Sequence, residues 1–315
     1  MADLEKQNEG WEQVLEKLVL TSLQEQKRAR QWGVFFKSLT FFYLFILLFF
    51  ALGWLGESDL TMSRKHTAIV DLRGVISPDG LSSADNIAAG LQSAFKDAKT
   101  QGVILRINSP GGSPVQAGYI NDEIRRLRTE YPDIPLYAVV EDVCASGGYY
   151  VAAAADRIYV DKASLIGSIG VLMNGFGFTS AMEKLGIERR LLTAGENKAF
   201  LDPFSPSNPE QEEYAQKILN EIHEQFIQVV QEGRGHRLKA EPDLFSGKIW
   251  TGQKSIDLGL ADGLGSAEYV AREIIKAENI VDFTTREGLT ERFARRFGAV
   301  ATETLVSMGM GWGLR

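Results

Sequence analysis

Two short segments of this sequence combine small residues with the groups that acyl-transfer chemistry needs. The first, NSPGG at 108–112, follows an apolar run and places two glycines directly after a proline. Glycine permits positive φ, so the backbone N–H groups of such a loop can point at a ligand oxygen. An ordinary tight turn explains the segment about equally well, since no phosphate-binding glycine pattern continues from it.

The second segment, CASGGYY at 144–150, places Ser146 between an apolar run and an alanine-rich helical stretch. A serine at a strand-to-helix turn exposes its hydroxyl, and the amides after it lie at a helix N-terminus, where developing negative charge is stabilised. A serine that only caps the helix is the alternative interpretation. Cys144 is a weaker nucleophile candidate because it precedes the turn, where we expect a small buried side chain.

A serine nucleophile needs a base, and the sequence offers few histidines for that role. His66 precedes the first predicted strand, and His223 and His236 lie in charged surroundings that do not resemble an active-site loop. Some serine hydrolases use a lysine instead. Because a free lysine has a pKa of about 10.4, a lysine base must be buried to be neutral near pH 7. Lys198 is a candidate, in the loop AGENKAF at 194–200 that leads into apolar residues.

Composition excludes several function classes. The 315 residues carry a net charge of −7 and a pI near 5.2, and no basic stripe indicates nucleic-acid binding. The single cysteine excludes an intrachain disulfide, and the three separated histidines lack metal-ligand spacing. We therefore expect no metal, no cofactor and no nucleic-acid partner.

An uncharged stretch at 38–56 predicts a membrane anchor. As a helix it would span roughly 28 Å, close to the hydrocarbon thickness of a bilayer. A cleavable signal peptide and a buried core helix are the alternatives; the long preceding segment disfavours the first, and the six Phe and Tyr residues at 41–50 disfavour the second. Basic residues before the stretch predict a cytoplasmic N-terminus, with the remainder of the chain exported.

From residue 67 onwards, short β-branched runs alternate with helical periods. Strands are predicted at 68–72, 102–108, 136–141, 157–160 and 168–173, and helices at 83–98, 114–129 and 147–155. The alternation predicts βαβ units and a parallel sheet with helices on both faces, an α/β domain. Both glycine segments follow predicted strands, and functional loops of such sheets gather at the carboxyl ends of the strands.

Four segments, in this order, resemble the SppA-type signal peptide peptidases of peptidase family S49 in their short, single-repeat bacterial form. They are NSPGG (108–112), ASGGYYVAAAAD (145–156), IGSIGV (166–171) and AGENKAFLDPFSP (194–206). The resemblance covers residues 66–282 and implies a ClpP/crotonase-like fold. It also implies a serine endopeptidase that cleaves signal peptides or other membrane-associated peptides after secretion, without a cofactor and as a ring-shaped homo-oligomer.

Carried over by position, Ser146 matches the family nucleophile and Lys198 its general base. Ser168 matches a serine that hydrogen-bonds the lysine amine. The implied chemistry is a serine–lysine dyad in which the neutral amine takes the serine proton. The resemblance leaves open whether the two residues meet within one chain or across an interface, and how many subunits the ring has.

The backbone amides of Gly112 and Gly147 match the family's oxyanion hole, one from each glycine segment. Gly111 or Ser113 remains an alternative source of the first amide. Cys144 stands where the family usually has a small residue, and we expect it to make the site sensitive to thiol reagents.

The predicted organisation is a cytoplasmic segment (1–37), a transmembrane anchor (38–56), a peptidase domain (66–282) and a tail (283–315). The expected location is the bacterial inner (cytoplasmic) membrane, crossed once, with the catalytic domain on the extracytoplasmic, periplasmic side. Two other functions stay open. A crotonase-like acyl-CoA enzyme conflicts with export, because CoA is cytosolic. An inactive membrane scaffold of the same fold would require the combination of Ser146, Ser168 and Lys198 to have arisen by chance.

Overall fold

The computed structural model describes residues 26–28, 30–48 and 64–285. They belong to two units, Met1–Leu60 and Thr61–Arg315, which we describe separately. Most of the predicted N-terminal segment, the end of the predicted anchor from residue 49 and the tail beyond residue 285 lie outside the described residues.

The first unit contributes one helix, α1 (Gln26–Leu48), which is long and apolar enough to cross a membrane, with a mean hydropathy of 1.5. It begins before the predicted anchor start at Ser38, because no proline separates the basic residues from the apolar run. Trp32, Phe35 and Phe36 contact one another along it, with ring centroids 5.7 Å apart. Its large apolar side chains are exposed, except that of Ile46, which is half-buried.

The second unit is built on a mostly parallel sheet that has eight strands within residues 64–285. They are β1 (His66–Arg73), β2 (Thr100–Ser109), β3 (Leu136–Ala145), β4 (Arg157–Val160), β5 (Leu165–Gly167), β6 (Ile249–Thr251), β7 (Gly263–Leu264) and β8 (Ile280–Asp282). The main path runs β6-β5-β3-β2-β1-β8, while β4 pairs with β3 and β7. Every pairing is parallel except β5 with β6. The predicted α/β class is confirmed.

Helices connect these strands. They are α2 (Ala84–Lys96), α3 (Pro114–Glu130), α4 (Gly147–Ala152), α5 (Thr179–Lys184), α6 (Pro209–Arg234), α7 (Gly252–Asp257) and α8 (Ala267–Tyr269), which continues as a π-helix over Val270–Ile275. A 3₁₀ turn, Gly235–Arg237, follows α6. The side chains of Ser83, Ser113 and Asn208 accept backbone N–H bonds at the starts of α2, α3 and α6, which explains where these helices begin.

The core lies mainly on one face of the sheet. Leu72, Leu105 and Ile107 point from the strands toward Leu91 and Ile120 on the covering helices, and all are buried. On the other face, α8 and the π-helix cover only part of the sheet.

The predicted helix cover on both faces is therefore incomplete. Beside α8, Arg73, Arg106 and Glu141 line an open cavity of about 820 Å³. Arg106 pairs with Asp71 at 2.7 Å, and Arg73 pairs with Glu141 at 2.8 Å. Charged side chains paired with one another can stay hydrated, so this region does not require an apolar cover.

The structure contradicts the predicted strand at 168–173. β5 ends at Gly167, where φ is +110°, and Ser168 follows with φ of +49°. Two successive residues with positive φ cannot continue an extended strand. The chain therefore turns at Ser168 and runs irregularly to the exposed side chains of Leu172 and Met173.

Candidate active site

Ser146 occupies the turn between β3 and α4. Its φ of +51° is uncommon for a residue with a side chain and is typical of strained functional positions. Its N–H donates to the carbonyl of Gly167 at 2.9 Å, which ties the turn to the end of β5. Its half-buried side chain makes no capping hydrogen bond. The interpretation of Ser146 as a simple N-cap is therefore wrong, and its hydroxyl is available for chemistry.

The two glycine segments pack directly against each other. A Cβ on Gly111 would lie 2.7 Å from the amide nitrogen of Gly147 and 2.8 Å from Cβ of Ser146. A Cβ on Gly112 would lie 2.1 Å from the carbonyl oxygen of Ile76. Both glycines also have positive φ, at +100° and +150°. Only glycine fits either position, and the absence of a side chain lets the backbone of this loop pack directly against the serine turn.

The hydrogen bonds of this loop decide which amide is free. The N–H of Gly111 donates to Oγ of Ser109 at 3.1 Å, and the N–H of Ser113 donates to the carbonyl of Ile76 at 2.9 Å. Within residues 64–285, the N–H groups of Gly112 and Gly147 have no acceptor. The amide nitrogen of Gly112 lies 3.3 Å from the position of a Cβ on Gly147. Two neighbouring unpaired donors beside Ser146 can stabilise an oxyanion.

Ser168 lies next to the serine turn. β3 and β5 run in parallel with Ala145 opposite Gly167, so Ser146 and Ser168 follow paired residues. The N–H of Ser168 donates to the carbonyl of Lys248 at 2.8 Å, and its side chain is half-buried. The structure thus brings Ser146, Ser168 and the two glycine amides to one edge of the sheet.

Lys198 is not part of that group in the single chain. It lies in the segment 171–208 between β5 and α6, which we call the lysine arm, and its side chain is exposed. Among the described residues, its amine makes no hydrogen bond or ion pair; its backbone N–H donates to the carbonyl of Gly195 at 3.1 Å. The burial that a lysine base requires is therefore absent from the single chain.

The lysine arm has a small cluster of its own. Phe178 stacks on Phe204 with ring centroids 5.3 Å apart, and Arg189 lies over Phe204 while pairing with Asp202. The hydrogen bond from Arg189 holds the pKa of the Asp202 carboxyl below its usual range. Much of the arm's apolar surface nevertheless faces outward. Leu172, Phe176 and Leu192 are 79%, 80% and 97% exposed. Exposed large apolar side chains that lie together mark interaction sites.

Two residues that sequence reasoning did not assign to the site lie near the Ser168 turn: His223 was set aside, and Trp250 was not considered. His223 on α6 places Nε2 3.1 Å from the carbonyl oxygen of Ile169, to which it can only donate. Trp250 on β6 packs its indole against Gly167. Periodicity could not reveal either contact. His223 lies 54 positions after Ile169 in the sequence. The strands β5 and β6 have three residues each, too few to show a pattern.

Cys144 is completely buried, as predicted from its place before the turn. Burial also raises the pKa of its thiol above the usual range. The expected sensitivity to thiol reagents is therefore wrong for the folded protein, because the buried thiol is inaccessible. In the part of the chain that the structure describes, no three acidic, histidine or cysteine side chains are grouped to hold a metal ion.

Comparison with known proteins matches part of this chain to a peptidase family. Residues 129–281 match the family model described as peptidase family S49. The putative signal peptide peptidase SppA of Enterococcus faecium is 28% identical over 250 residues, which is 76% of this chain and 72% of that protein. Protease 4 of Haemophilus influenzae is 30% identical over 220 residues, which is 68% of this chain and 35% of that protein.

A protein named Na(+)/H(+) antiporter NhaA, from Brucella abortus (strain 2308), is 44% identical over 217 residues. The match covers 69% of this chain but only 29% of the Brucella protein, so the chain spans less than a third of that relative. The family match includes Ser146, Ser168 and Lys198, whereas Gly112 precedes it. Only the packing of the two glycine segments places Gly112 beside the matched residues.

Proposed function

Because this chain carries a peptidase family S49 domain of the SppA type, we propose that it is a membrane-anchored serine endopeptidase with a serine–lysine dyad. Ser146 is the nucleophile and Lys198 the general base. The substrates are signal peptides or other membrane-associated peptides left after secretion. The observation that carries the proposal is the strained Ser146 turn, which lies beside two backbone amides that have no acceptor within residues 64–285.

In the first step, Oγ of Ser146 attacks the peptide carbonyl carbon and its proton passes to the amine of Lys198. The carbonyl oxygen becomes an oxyanion that accepts hydrogen bonds from the N–H groups of Gly112 and Gly147. Collapse expels the leaving amine, which takes the proton from the lysine and leaves an acyl-enzyme. Water then attacks the ester and gives a proton to the amine. Collapse of this second intermediate releases the peptide acid, and the amine returns the proton to Oγ of Ser146.

The dyad is completed, in this proposal, in a ring-shaped homo-oligomer. The exposed amine of Lys198 and the exposed apolar side chains of the lysine arm support it, since both would be covered if the arm lay against a neighbouring copy. Burial in such an interface favours the uncharged form of a lysine amine. Ser168 would then accept a hydrogen bond from that amine and direct its lone pair toward Ser146.

The proposed location is the bacterial inner membrane, crossed once by α1, with a cytoplasmic N-terminus. The apolar length of α1 and the basic residues Lys27, Arg28 and Arg30 at its start support this orientation. The catalytic domain then lies on the extracytoplasmic side, where peptides released during secretion remain in the membrane.

A fluorophosphonate probe for active-site serines tests the proposal on the full-length protein in detergent. We expect covalent labelling at Ser146, located by mass spectrometry of tryptic peptides, and none at Ser168. A membrane-impermeant form of the probe should label Ser146 in intact spheroplasts, because the domain is exported. Absence of label in the purified protein would favour an inactive scaffold, and label only after lysis would contradict the orientation.

The oxyanion assignment predicts a large effect of one methyl group. Gly112→Ala would place Cβ 2.1 Å from the Ile76 carbonyl oxygen, so the loop must shift and its amide must move. Loss of one oxyanion donor should lower kcat by about 10²-fold. The control is Gly118→Ala on α3, where a Cβ meets nothing within 4 Å and activity should not change. Equal activity of the two variants in a peptide-hydrolysis assay would refute the assignment.

A further inference from the structure

The Ser168 turn is held by β6, a strand distant in sequence. The N–H of Ser168 donates to the carbonyl of Lys248, and β6 pairs with β5 so that Trp250 lies opposite Ile166. The carbonyl of Gly167, within the same turn, accepts the N–H of Ser146. The backbone of the nucleophile therefore depends on the position of Gly167.

Trp250 contacts Gly167 directly. Its Cδ1 lies 3.0 Å, and its Nε1 3.6 Å, from the position that a Cβ on Gly167 would take. The indole thus occupies the space beside the glycine, while the Lys248 carbonyl oxygen lies 2.9 Å from the same position. The indole and this carbonyl therefore pack closely against Gly167, whose own carbonyl accepts the N–H of Ser146.

The indole nitrogen takes no part in this contact as a hydrogen-bond donor. Nε1 of Trp250 is buried and, within the described residues, has no hydrogen-bond acceptor. A buried unpaired donor lowers stability, and a purely apolar ring at this place would avoid that cost.

We propose that Trp250 is a positioning residue for the nucleophile. Its ring packs against Gly167, and the carbonyl of Gly167 accepts the N–H of Ser146. Ser168 directly follows Gly167 and so lies beside Ser146. Trp250 touches no reacting atom. This inference rests on the proposed function, since it concerns the rate at which Ser146 attacks, and a small misplacement of a reacting group can cost about 10²-fold in rate.

The test compares Trp250→Leu with Trp250→Phe in the full-length protein. Leucine lacks the flat ring, so kcat and the rate of fluorophosphonate labelling of Ser146 should both fall by at least about tenfold, with KM within about twofold of wild type. Phenylalanine keeps a ring against Gly167 and should retain both rates within about threefold. Equal losses in the two variants would show that the ring contact is not what positions Ser146.

The matched control is Phe95→Leu. Phe95 is buried on α2 and packs against Tyr131, at the end of α3 away from the Ser113 cap. We expect it to lower the melting temperature about as much as Trp250→Leu, while Ser146 is labelled at the wild-type rate. Labelling of Trp250→Leu at the wild-type rate would overturn this inference alone. An unlabelled wild-type protein would instead overturn the proposed function.

Discussion

Replacement of Ser146 by alanine is expected to lower kcat/KM for peptide hydrolysis by at least about 10⁴-fold, because no covalent intermediate can form without the hydroxyl. The fold should be unaffected. The serine side chain makes no capping bond, and its tie to Gly167 uses the backbone N–H, which alanine retains. A fluorogenic apolar peptide and the purified protein in detergent provide the measurement, with circular dichroism to verify folding.

The matched control for this prediction is Ser93→Ala. Ser93 is an exposed serine on α2 whose hydroxyl donates to the carbonyl of Ala89 at 2.8 Å. It lies outside the proposed machinery, so its replacement should leave kcat/KM unchanged. Hydrolysis by Ser146→Ala at more than about a hundredth of the wild-type rate would assign the nucleophile to another residue, since residual activity without a nucleophile is far lower.

Lys198→Ala should cause a loss as large as that of Ser146→Ala, because the serine proton then has no acceptor. The stability of the single chain, in which Lys198 is exposed, should change by no more than about 0.5 kcal/mol, the usual limit for an exposed surface residue. Lys184→Ala, at the exposed end of α5 in the same arm, is the control and should retain full activity. Loss of activity in both variants would indicate a general effect of arm charge rather than a base.

Mixing the two inactive variants distinguishes a dyad within one chain from a dyad across copies. Ser146→Ala chains keep Lys198, and Lys198→Ala chains keep Ser146. If neighbouring copies share the site, random equal mixing restores about a quarter of wild-type activity, since one interface in four carries both intact residues. Subunit exchange must be shown separately with a tagged chain. Exchange without recovered activity would place the dyad within a single chain.

Local sequence was sufficient to predict the serine turn and the glycine loop. Ser146 precedes two glycines at the end of an apolar run, and NSPGG follows another such run. Strand periodicity and turn chemistry depend on residues within a few positions, so the two loops could be located at strand ends. Their meeting at one edge followed from the parallel sheet that the alternating strands and helices predict.

The strand predicted at 168–173 shows where local reasoning ends. Its apolar residues resemble a strand, yet Gly167 and Ser168 adopt positive φ. They contact the Lys248 carbonyl, just before β6, and the Trp250 ring on β6, about 80 positions later in the sequence. No periodicity within the segment carries that information. The exposure of Lys198 could not be predicted from the sequence either, because apolar neighbours in the sequence do not ensure that a side chain is buried in the fold.

The sequence by itself determined the α/β class, an apolar helix near the N-terminus and the residue types of the proposed site, because these depend on composition, spacing and local pattern. Only the tertiary structure decided which amides are free. Gly111 and Ser113 donate to Ser109 and Ile76, and Gly112 does not. It also decided that Ser146 lies beside Ser168 while Lys198 stays exposed. Hydrogen-bond partners and burial depend on residues far apart in sequence, which meet only when the sheet has formed.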